Sequence, residues 1–358
     1  MKVSVIVGTR PEIIKMAPII KELEKRGADF LIIHTGQHYS YNMDEVFFKQ
    51  LKLPQANFKL EVGSGSHAEQ TAKVLTRIEK ILKHEKPGIV LVEGDTNSVL
   101  ASALAASKLH IKVGHVEAGL RSGDKQMPEE INRILTDHCS DYLFAPTEIS
   151  KINLMSESIN EEMIFVTGNT IVDALMQNLE IAKHEANVLQ QLNLNPKNYC
   201  LVTLHRQENV DSRERFTSIL EGLSKVGLEI DVPVVYPIHP RARKMMAGFN
   251  LNPANLKIIE PQDYFSFIQL ESNARLILTD SGGIQEEACI LRVPCVTLRD
   301  NTERPETIGV GANLLAGSTA TKIVNCSYKM MNKATDWFNP FGDGKAAEII
   351  IDIVEGNE

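Results

Sequence analysis

Short apolar runs rich in β-branched residues alternate along this chain with longer segments of helical periodicity. In the first half, the apolar runs predict strands at Val3–Val7, Phe30–His34, Ile89–Glu93, Val113–Val116, Tyr142–Ala145 and Ile164–Val166. Amphipathic segments of helix length lie between several of them, at Pro11–Lys25, His67–Lys83, Ser98–Leu109 and Pro128–Ser140. Alternation of this kind is typical of a parallel sheet that helices cover on both faces.

The same alternation restarts after a polar, helix-like stretch at Asn178–Asn198, which we interpret as a bridge between domains. Strands are then predicted at Tyr199–Thr203, Val234–Pro237, Lys257–Ile259, Leu276–Thr279 and Val296–Leu298. The helices predicted between them are Arg213–Lys225, Asp263–Glu271 and Ile284–Ile290. A length of 358 residues also favours two domains. We therefore expect an α/β protein with two doubly wound halves.

The composition narrows the classes of function. Hydrophobic residues make up 43% of the chain and charged residues 23%, which favours a large buried core over disorder. The net charge of −8 argues against a nucleic-acid partner, because duplex binding usually needs a basic face. No apolar run reaches the roughly 18 residues of a membrane span, and the apolar stretch at the N-terminus is too short for a signal peptide. We expect no nucleic-acid partner and no membrane partner.

The five cysteines indicate neither a disulfide framework nor a metal centre. They stand at Cys139, Cys200, Cys289, Cys295 and Cys326, an odd number without CxxC spacing. A zinc site is not expected from such scattered cysteines, and no HExxH, P-loop or dinucleotide fingerprint occurs. Free thiols fit a reducing compartment, so a cytoplasmic location is expected.

Polar clusters follow several of the predicted strands. In open parallel sheets, ligands bind beyond the carboxyl ends of the strands. Five clusters fall there, and we expect them to meet in a cleft between the two domains: Gly8–Lys15, Gly94–Ser98, Glu117–Arg121, His205–Asn209 and Asp280–Glu287.

Two of these clusters have the character of anion sites. At the first, Gly8 makes a turn before a helix that begins near Pro11, and Arg10 and Lys15 supply positive charge. The alternative there is an ordinary solvated helix start. The second is the stronger, because the consecutive glycines after Ser281 let a backbone approach a phosphate closely. One turn later, Glu287 could accept two ribose hydroxyls, although an acid in a first helical turn also has a purely structural explanation.

Acids at strand ends supply the carboxylates that acid–base chemistry needs. Asp95 and Glu117 each follow an apolar strand, and Glu129 or Glu130 opens a helix. Taken singly, each has a structural alternative, and for Asp95 this alternative is a helix cap. His205 follows a strand within a dense polar run, and His239 is similarly placed with less support.

Seven segments, in this order, resemble the non-hydrolysing UDP-N-acetylglucosamine 2-epimerases, and the similarity covers nearly the whole chain. They are GTRPEIIKMAP (8–18), GDTNSVLA (94–101), HVEAGLRSGD (115–124), MPEEINR (127–133), HRQEN (205–209), DSGGIQEEA (280–288) and RDNTERPE (299–306).

The resemblance implies a glycosyltransferase B-type fold, in which two Rossmann-like doubly wound domains face a cleft. It implies an N-terminal domain at 1–170 on the acid–base side, a UDP-binding domain at 171–342, and a last helix at 343–358 that returns to the first domain. It also implies a homodimer, a UDP-N-acetylhexosamine substrate, and neither a cofactor nor a metal.

The resemblance also implies roles for individual residues. Asp95, Glu117, Glu129 and His205 are the implied catalytic residues, and Arg133 lies with them around the sugar. The implied diphosphate contacts are Arg10, His205, Ser281, Gly282 and Gly283, with Lys15 nearby. Glu287 would hold the ribose and Phe267 would lie by the uracil.

The implied reaction is the reversible C2 epimerisation of UDP-N-acetylglucosamine to UDP-N-acetylmannosamine, by elimination of UDP to 2-acetamidoglucal and re-addition. Three alternatives stay open at this point. They are a hydrolysing epimerase that releases free N-acetylmannosamine, a glycosyltransferase of the same fold, and a UDP-sugar sensor without chemistry.

Overall fold

The computed structural model describes residues 1–36 and 47–356. The chain divides into two compact units. The N-terminal unit comprises Met1–Met176 together with Phe341–Glu358, and the C-terminal unit comprises Gln177–Pro340. Each unit is an α/β structure with one parallel sheet. None of the helices in the described ranges is long and apolar enough to cross a membrane.

The N-terminal unit has a seven-stranded sheet in the order β3-β2-β1-β4-β5-β6-β7, and all of its strand pairs are parallel. Its strands are β1 (Val3–Val7), β2 (Phe30–His34), β3 (Phe58–Lys59), β4 (Ile89–Glu93), β5 (Lys112–Val116), β6 (Tyr142–Ala145) and β7 (Ile164–Val166). The helices before the division are α1 (Arg10–Lys25), α2 (His67–Glu85), α3 (Asn97–Lys108), α4 (Pro128–His138) and α5 (Glu148–Ser156), and the division falls within α6 (Thr170–Glu185). A 3₁₀ turn at Glu161–Met163 precedes β7.

The C-terminal unit has a six-stranded parallel sheet in the order β10-β9-β8-β11-β12-β13. Its strands are β8 (Cys200–Thr203), β9 (Val234–Pro237), β10 (Leu256–Ile259), β11 (Leu276–Thr279), β12 (Cys295–Thr297) and β13 (Asn313–Leu315). Its helices are α7 (Val188–Gln191), α8 (Gln207–Val210), α9 (Arg213–Ile230), α10 (Pro240–Gly248), α11 (Tyr264–Asn273), α12 (Gly282–Ile290), α13 (Pro305–Gly309) and α14 (Ala320–Met331).

The last helix, α15 (Ala346–Glu355), packs on α1 of the N-terminal unit. The Arg26 guanidinium lies 2.7 Å from the carboxylate of Asp352 and 3.0 Å from that of Glu355. At the other end of α15, the Asp173 carboxylate accepts the backbone N–H groups of residues 346 and 347 at 3.3 and 3.0 Å. Both ends of the helix are therefore fixed by side chains of the first 176 residues.

The strand order determines where chemistry can occur in each unit. Strand order reverses direction between β1 and β4 in one sheet and between β8 and β11 in the other. Ligand sites of doubly wound sheets lie at such switch points, beyond the carboxyl ends of the strands. The central strands β1, β4 and β11 are buried on both faces, which explains their predominantly apolar sequences. The polar residues that follow these strands are therefore the candidate ligand-binding and catalytic residues.

Candidate functional site

In the N-terminal unit, Lys15 lies between two carboxylates at the ends of neighbouring strands. Its ammonium pairs with the Glu117 carboxylate and lies 3.1 Å from Oε1 of Glu93. All three side chains are nearly buried. The family resemblance implies that Lys15 lies near a bound diphosphate, but here its charge is directed to the two acids. Its position indicates a residue that holds Glu117 in place.

Glu93 is an acid that sequence analysis missed. Burial raises the pKa of its carboxyl well above the usual range, Lys15 opposes the shift, and the charge of Glu117 adds to it. Glu117 itself follows β5 with a φ of 68°, in the left-handed region that costs energy for a residue with a side chain. Such backbone strain concentrates at functional sites. The signal for Glu93 was present in the sequence, as an acid that ends an otherwise apolar strand.

Asp95 pairs with an arginine and does not cap α3. Nη2 of Arg133 donates to its carboxylate at 2.6 Å, and the side chain stays 30% exposed. The cap of α3 is Thr96, whose side chain accepts the N–H of Val99, so the helix-cap alternative for Asp95 is wrong. Asp95 is therefore a fixed and accessible carboxylate.

The two acids that open α4 have different environments. Glu130 is buried and accepts the backbone N–H groups of Ser122 and Gly123 at 3.0 and 2.9 Å and Nη1 of Arg133 at 2.8 Å. Burial acts to raise the pKa of Glu130, but these donors outweigh it and lower the pKa. Glu129 is exposed in the first helical turn. Of the pair, Glu130 orients Arg133, and Glu129 has the accessibility that a ligand needs.

The turn after β1 is already occupied by an acid of the same chain. The N–H of Gly8 donates to the buried Glu12 carboxylate at 2.6 Å, so it is not free for an external anion as the sequence suggested. A Cβ at position 8 would overlap with Oγ1 of Thr35, so packing alone explains why position 8 is a glycine. Burial raises the pKa of Glu12 to about 7, against opposing hydrogen bonds. Arg10 is exposed, with its guanidinium 5.4 Å from the ring centre of Phe47.

In the C-terminal unit, a buried aspartate fixes His205. Asp280 follows β11 and accepts the backbone N–H of His205 and, at 2.9 Å, that of Arg206. Its Oδ1 lies 3.2 Å from Nδ1 of His205. Burial acts to raise the pKa of Asp280, but the hydrogen bond and charge of His205 outweigh it and lower the pKa. Because Nδ1 faces Asp280, Nε2 is the nitrogen left for a ligand, and the ring is 41% exposed.

The Ser-Gly-Gly turn has one glycine that packing requires and one that it does not. Ser281 is the residue before α12, and its side chain makes no cap hydrogen bond. A Cβ on Gly282 would overlap with Oε1 of Glu303. At Gly283, a Cβ would meet no atom of the described residues within 4 Å. Space beside backbone N–H groups at a helix N-terminus suits a phosphate.

Several arginines surround this turn, and sequence analysis did not single them out. Nη1 of Arg299 lies 2.8 Å from Glu303, and Nη2 of Arg206 lies 3.3 Å from it. Burial acts to raise the pKa of Glu303, but the charges of Arg304, Arg299 and Arg206 outweigh it and lower the pKa to about 2. The density of charged residues in the segment 299–306 was the sequence feature that could have indicated these arginines.

The remaining predicted residues lie on α11 and α12. Glu287 stands one turn after Gly283, so it lies on the same side of α12. Phe267 is partly buried on α11 and packs against the apolar cluster that contains Tyr199 and Leu201. Within residues 1–36 and 47–356, no three His, Cys, Asp or Glu side chains form a group that could hold a metal ion.

The fold and the two clusters together define a class of protein. Two Rossmann-like units in one chain are the components of the glycosyltransferase B-type fold. One unit offers carboxylates that cations hold in place, with Asp95 accessible, and the other offers a helix terminus and an oriented histidine suited to phosphate. These are the parts of an enzyme that applies acid–base chemistry to a phosphate-bearing substrate.

Comparison with known proteins gives the family. The family model for UDP-N-acetylglucosamine 2-epimerase matches residues 21–355. A UDP-N-acetylglucosamine 2-epimerase of Methanocaldococcus jannaschii is 57% identical over 99% of both chains. One from Methanococcus maripaludis is 52% identical over 100% of this chain and 99% of its own. This chain belongs to the UDP-N-acetylglucosamine 2-epimerase family.

A solved structure extends the comparison to three dimensions. The crystal structure of Methanocaldococcus jannaschii UDP-GlcNAc 2-epimerase in complex with UDP-GlcNAc and UDP matches with a TM-score of 0.92. The match covers 99% of this chain and 100% of that one, at 57% identity. The two-unit α/β fold expected from the sequence is confirmed.

Proposed function

We propose that this protein catalyses the reversible C2 epimerisation of UDP-N-acetylglucosamine to UDP-N-acetylmannosamine without hydrolysis. The observation that carries the proposal is the pair of carboxylates, Asp95 and Glu117, that the N-terminal unit holds against separate cations. Each is fixed by a partner, as a group that moves protons at a defined position must be. The chain that carries these two carboxylates matches UDP-N-acetylglucosamine 2-epimerases over nearly its full length.

The reaction has a specific physical difficulty. The C2 proton of an N-acetylhexosamine has no adjacent ring carbonyl to make it acidic. Elimination solves this, because a base removes the proton as UDP leaves C1, giving 2-acetamidoglucal and UDP. Re-addition of UDP to C1, with a proton delivered to the opposite face of C2, gives the epimer. Atoms and charge balance without a redox partner, so we propose that no nicotinamide takes part. Because protein donors are assigned to the leaving diphosphate, we propose that no metal takes part either.

The two steps divide between the two clusters. Asp95, Glu117 and Glu129 are the proposed proton-transfer groups, and Arg133 positions Asp95. The leaving diphosphate needs preorganised positive charge and N–H donors. We assign that role to Arg10, to Nε2 of His205, and to the turn formed by Ser281, Gly282 and Gly283, with Lys15 holding Glu117. Phe267 is assigned to the uracil and Glu287 to the ribose hydroxyls.

Three further properties belong to the proposal. The substrate is a UDP-linked N-acetylhexosamine, as the similar enzymes are named for it. The protein acts as a homodimer, which rests on resemblance to the family. It works in the cytoplasm, which rests on its five free cysteines.

The direct test starts from either sugar nucleotide. Protein that has been dialysed against a chelator is incubated with UDP-N-acetylglucosamine or with UDP-N-acetylmannosamine, and the products are separated by ion-pair chromatography. Both reactions are expected to reach the same mixture. Activity that returns only with a divalent ion would contradict the metal-free proposal, and conversion in one direction alone would contradict reversibility.

Gly283→Val tests the phosphate turn. The new side chain meets no atom of the described residues at its Cβ, so the variant is expected to fold. It would block the backbone approach of a phosphate, and UDP affinity measured by calorimetry is expected to fall on the order of tenfold or more.

Gly248→Val is the matched control, because Gly248 also has open space around its Cβ in the same unit. Its UDP affinity is expected to equal that of the wild type. An unchanged affinity in folded Gly283→Val would remove the turn from the site.

A further inference from the structure

Behind the proposed ribose residue lies a second carboxyl group, that of Glu271 on α11. It is fully buried, and neither of its oxygens has a hydrogen-bond donor among the residues that the structure describes. The side chain within hydrogen-bond reach is Glu287 on α12, which is itself an acid. Two carboxyl groups in contact, one of them without any donor, form an arrangement that needs a proton to be stable.

The different burial of the two groups decides where the proton lies. Two carboxylates in contact cannot both be ionised in a low-dielectric site, so the pair shares one proton. Burial raises the pKa of Glu271 well above its usual range, and the charge of Glu287 adds to the shift. Glu287 is only partly buried and can keep its charge. Glu271 is therefore the donor of the pair and Glu287 the acceptor.

The surroundings of Glu271 restrict its choice of partner. Its neighbours are Tyr199, whose hydroxyl donates to the Leu270 carbonyl at 2.5 Å and is therefore not a donor to Glu271, and Cys295 of β12. Both belong to an apolar cluster that fills the space between the sheet and α11. Among these neighbours, the charged acceptor within hydrogen-bond reach of the Glu271 O–H is the Glu287 carboxylate.

We propose that protonated Glu271 is a positioning residue, which donates its O–H to the Glu287 carboxylate and orients it to accept both hydroxyls of a ribose. The proposal rests on the proposed function, in which Glu287 contacts the ribose of UDP. A carboxylate has about four acceptor sites, so one can be used by Glu271 while others remain for a vicinal diol. An oriented carboxylate binds the diol with less loss of side-chain entropy than a mobile one.

The consequence is a measurable selectivity for ribose over deoxyribose. Removal of the 2′-hydroxyl leaves a charged acceptor unpaired, which costs on the order of tenfold to a hundredfold in affinity. Calorimetry with UDP and with 2′-deoxy-UDP measures this ratio for the wild type, Glu271→Gln and Glu271→Met. Glu271→Leu serves as a second apolar variant, and circular dichroism checks that each variant folds.

The glutamine variant keeps a donor, since its amide N–H can reach Glu287, and it is expected to keep the ratio within about threefold of the wild type. The methionine variant has similar size but no donor. Its ratio is expected to fall about tenfold through a loss of UDP affinity, while the affinity for 2′-deoxy-UDP stays the same.

Two results would overturn the inference. One is full selectivity in both apolar variants, and the other is an equal loss of affinity for both nucleotides, which indicates a purely structural role. Glu287→Gln distinguishes a failure of the assigned UDP site from a failure of the role proposed for Glu271. If Glu287→Gln keeps the ratio, or if the wild type binds no UDP, the assigned UDP site itself is wrong. If Glu287→Gln loses the ratio and the apolar variants of Glu271 do not, only the inference fails.

Discussion

Replacing Asp95 by Asn, or Glu117 by Gln, is expected to lower kcat on the order of 10²–10⁴-fold, because each change removes an ionisable group and keeps its size. UDP affinity is expected to change by less than about threefold, since the proposed diphosphate contacts are other residues. Neither change leaves a cation without an anionic partner. Lys15 keeps Glu93 when Glu117 is neutralised, and Arg133 keeps Glu130 when Asp95 is neutralised.

The measurement is a single-turnover assay with UDP calorimetry on the same preparations. Glu79→Gln is the matched control, because Glu79 is an acid of the same unit whose side chain is 46% exposed and whose carboxylate pairs with Lys83 at 2.7 Å on the surface of α2. Its turnover is expected to equal that of the wild type, since such surface pairs contribute little. Near-wild-type turnover in both acid variants would refute their assignment to proton transfer.

Replacing His205 by Asn is expected to damage binding and chemistry together. The asparagine amide can still donate to Asp280, as Nδ1 of the imidazole does, but the variant lacks Nε2. A donor to the leaving phosphate is lost, so kcat is expected to fall on the order of 10²–10³-fold. UDP affinity should fall on the order of tenfold.

His205→Gln is the complementary variant, because its amide nitrogen can occupy the place of Nε2. It is expected to recover much of the UDP affinity and little of the turnover. Calorimetry and single-turnover rates on both variants provide the test. A wild-type affinity for UDP in His205→Asn would remove the histidine from the diphosphate contacts. Equal losses of affinity in His205→Asn and the two acid variants would mean that no separate roles exist.

The fold could be predicted closely where the strands are long and apolar. The predicted strand at Val113–Val116 differs by one residue from the observed β5, because the residue that β5 adds is the exposed Lys112, which carries no apolar signal. The sequence did not predict β3 (Phe58–Lys59), because two residues carry too little pattern, or β13 (Asn313–Leu315), a three-residue strand that begins with a polar residue. The charged α10 was missed because its apolar face is narrow.

The polar stretch predicted as a bridge at Asn178–Asn198 has a different structure. Part of it belongs to α6, which begins earlier at Thr170, and part forms the short helix α7. The helical character was correct, but the polar composition did not mark the start of the helix. Helix boundaries depend on tertiary contacts that local composition does not contain.

The candidate residues could be located from the sequence, but their partners could not. Lys15 and Glu117 are 102 positions apart, and no local periodicity encodes that pair. The same limit explains why Gly8 was interpreted as a free anion site, when Glu12 already accepts its N–H. It also explains why Gly282 and Gly283 looked equivalent, although only Gly282 abuts a side chain. The local sequence predicts where strands end, whereas the pairing of side chains from distant positions is decided only when the sheet assembles.

The most direct test of the account is proton NMR of UDP-N-acetylglucosamine incubated with the protein in deuterium oxide. Elimination and re-addition require that the C2 proton leave and be replaced from solvent. The expected result is the appearance of UDP-N-acetylmannosamine with deuterium at C2 in the epimerised product. Free N-acetylmannosamine together with UDP would contradict the account in favour of hydrolysis, and epimerisation with full retention of the C2 proton would contradict the proposed proton exchange.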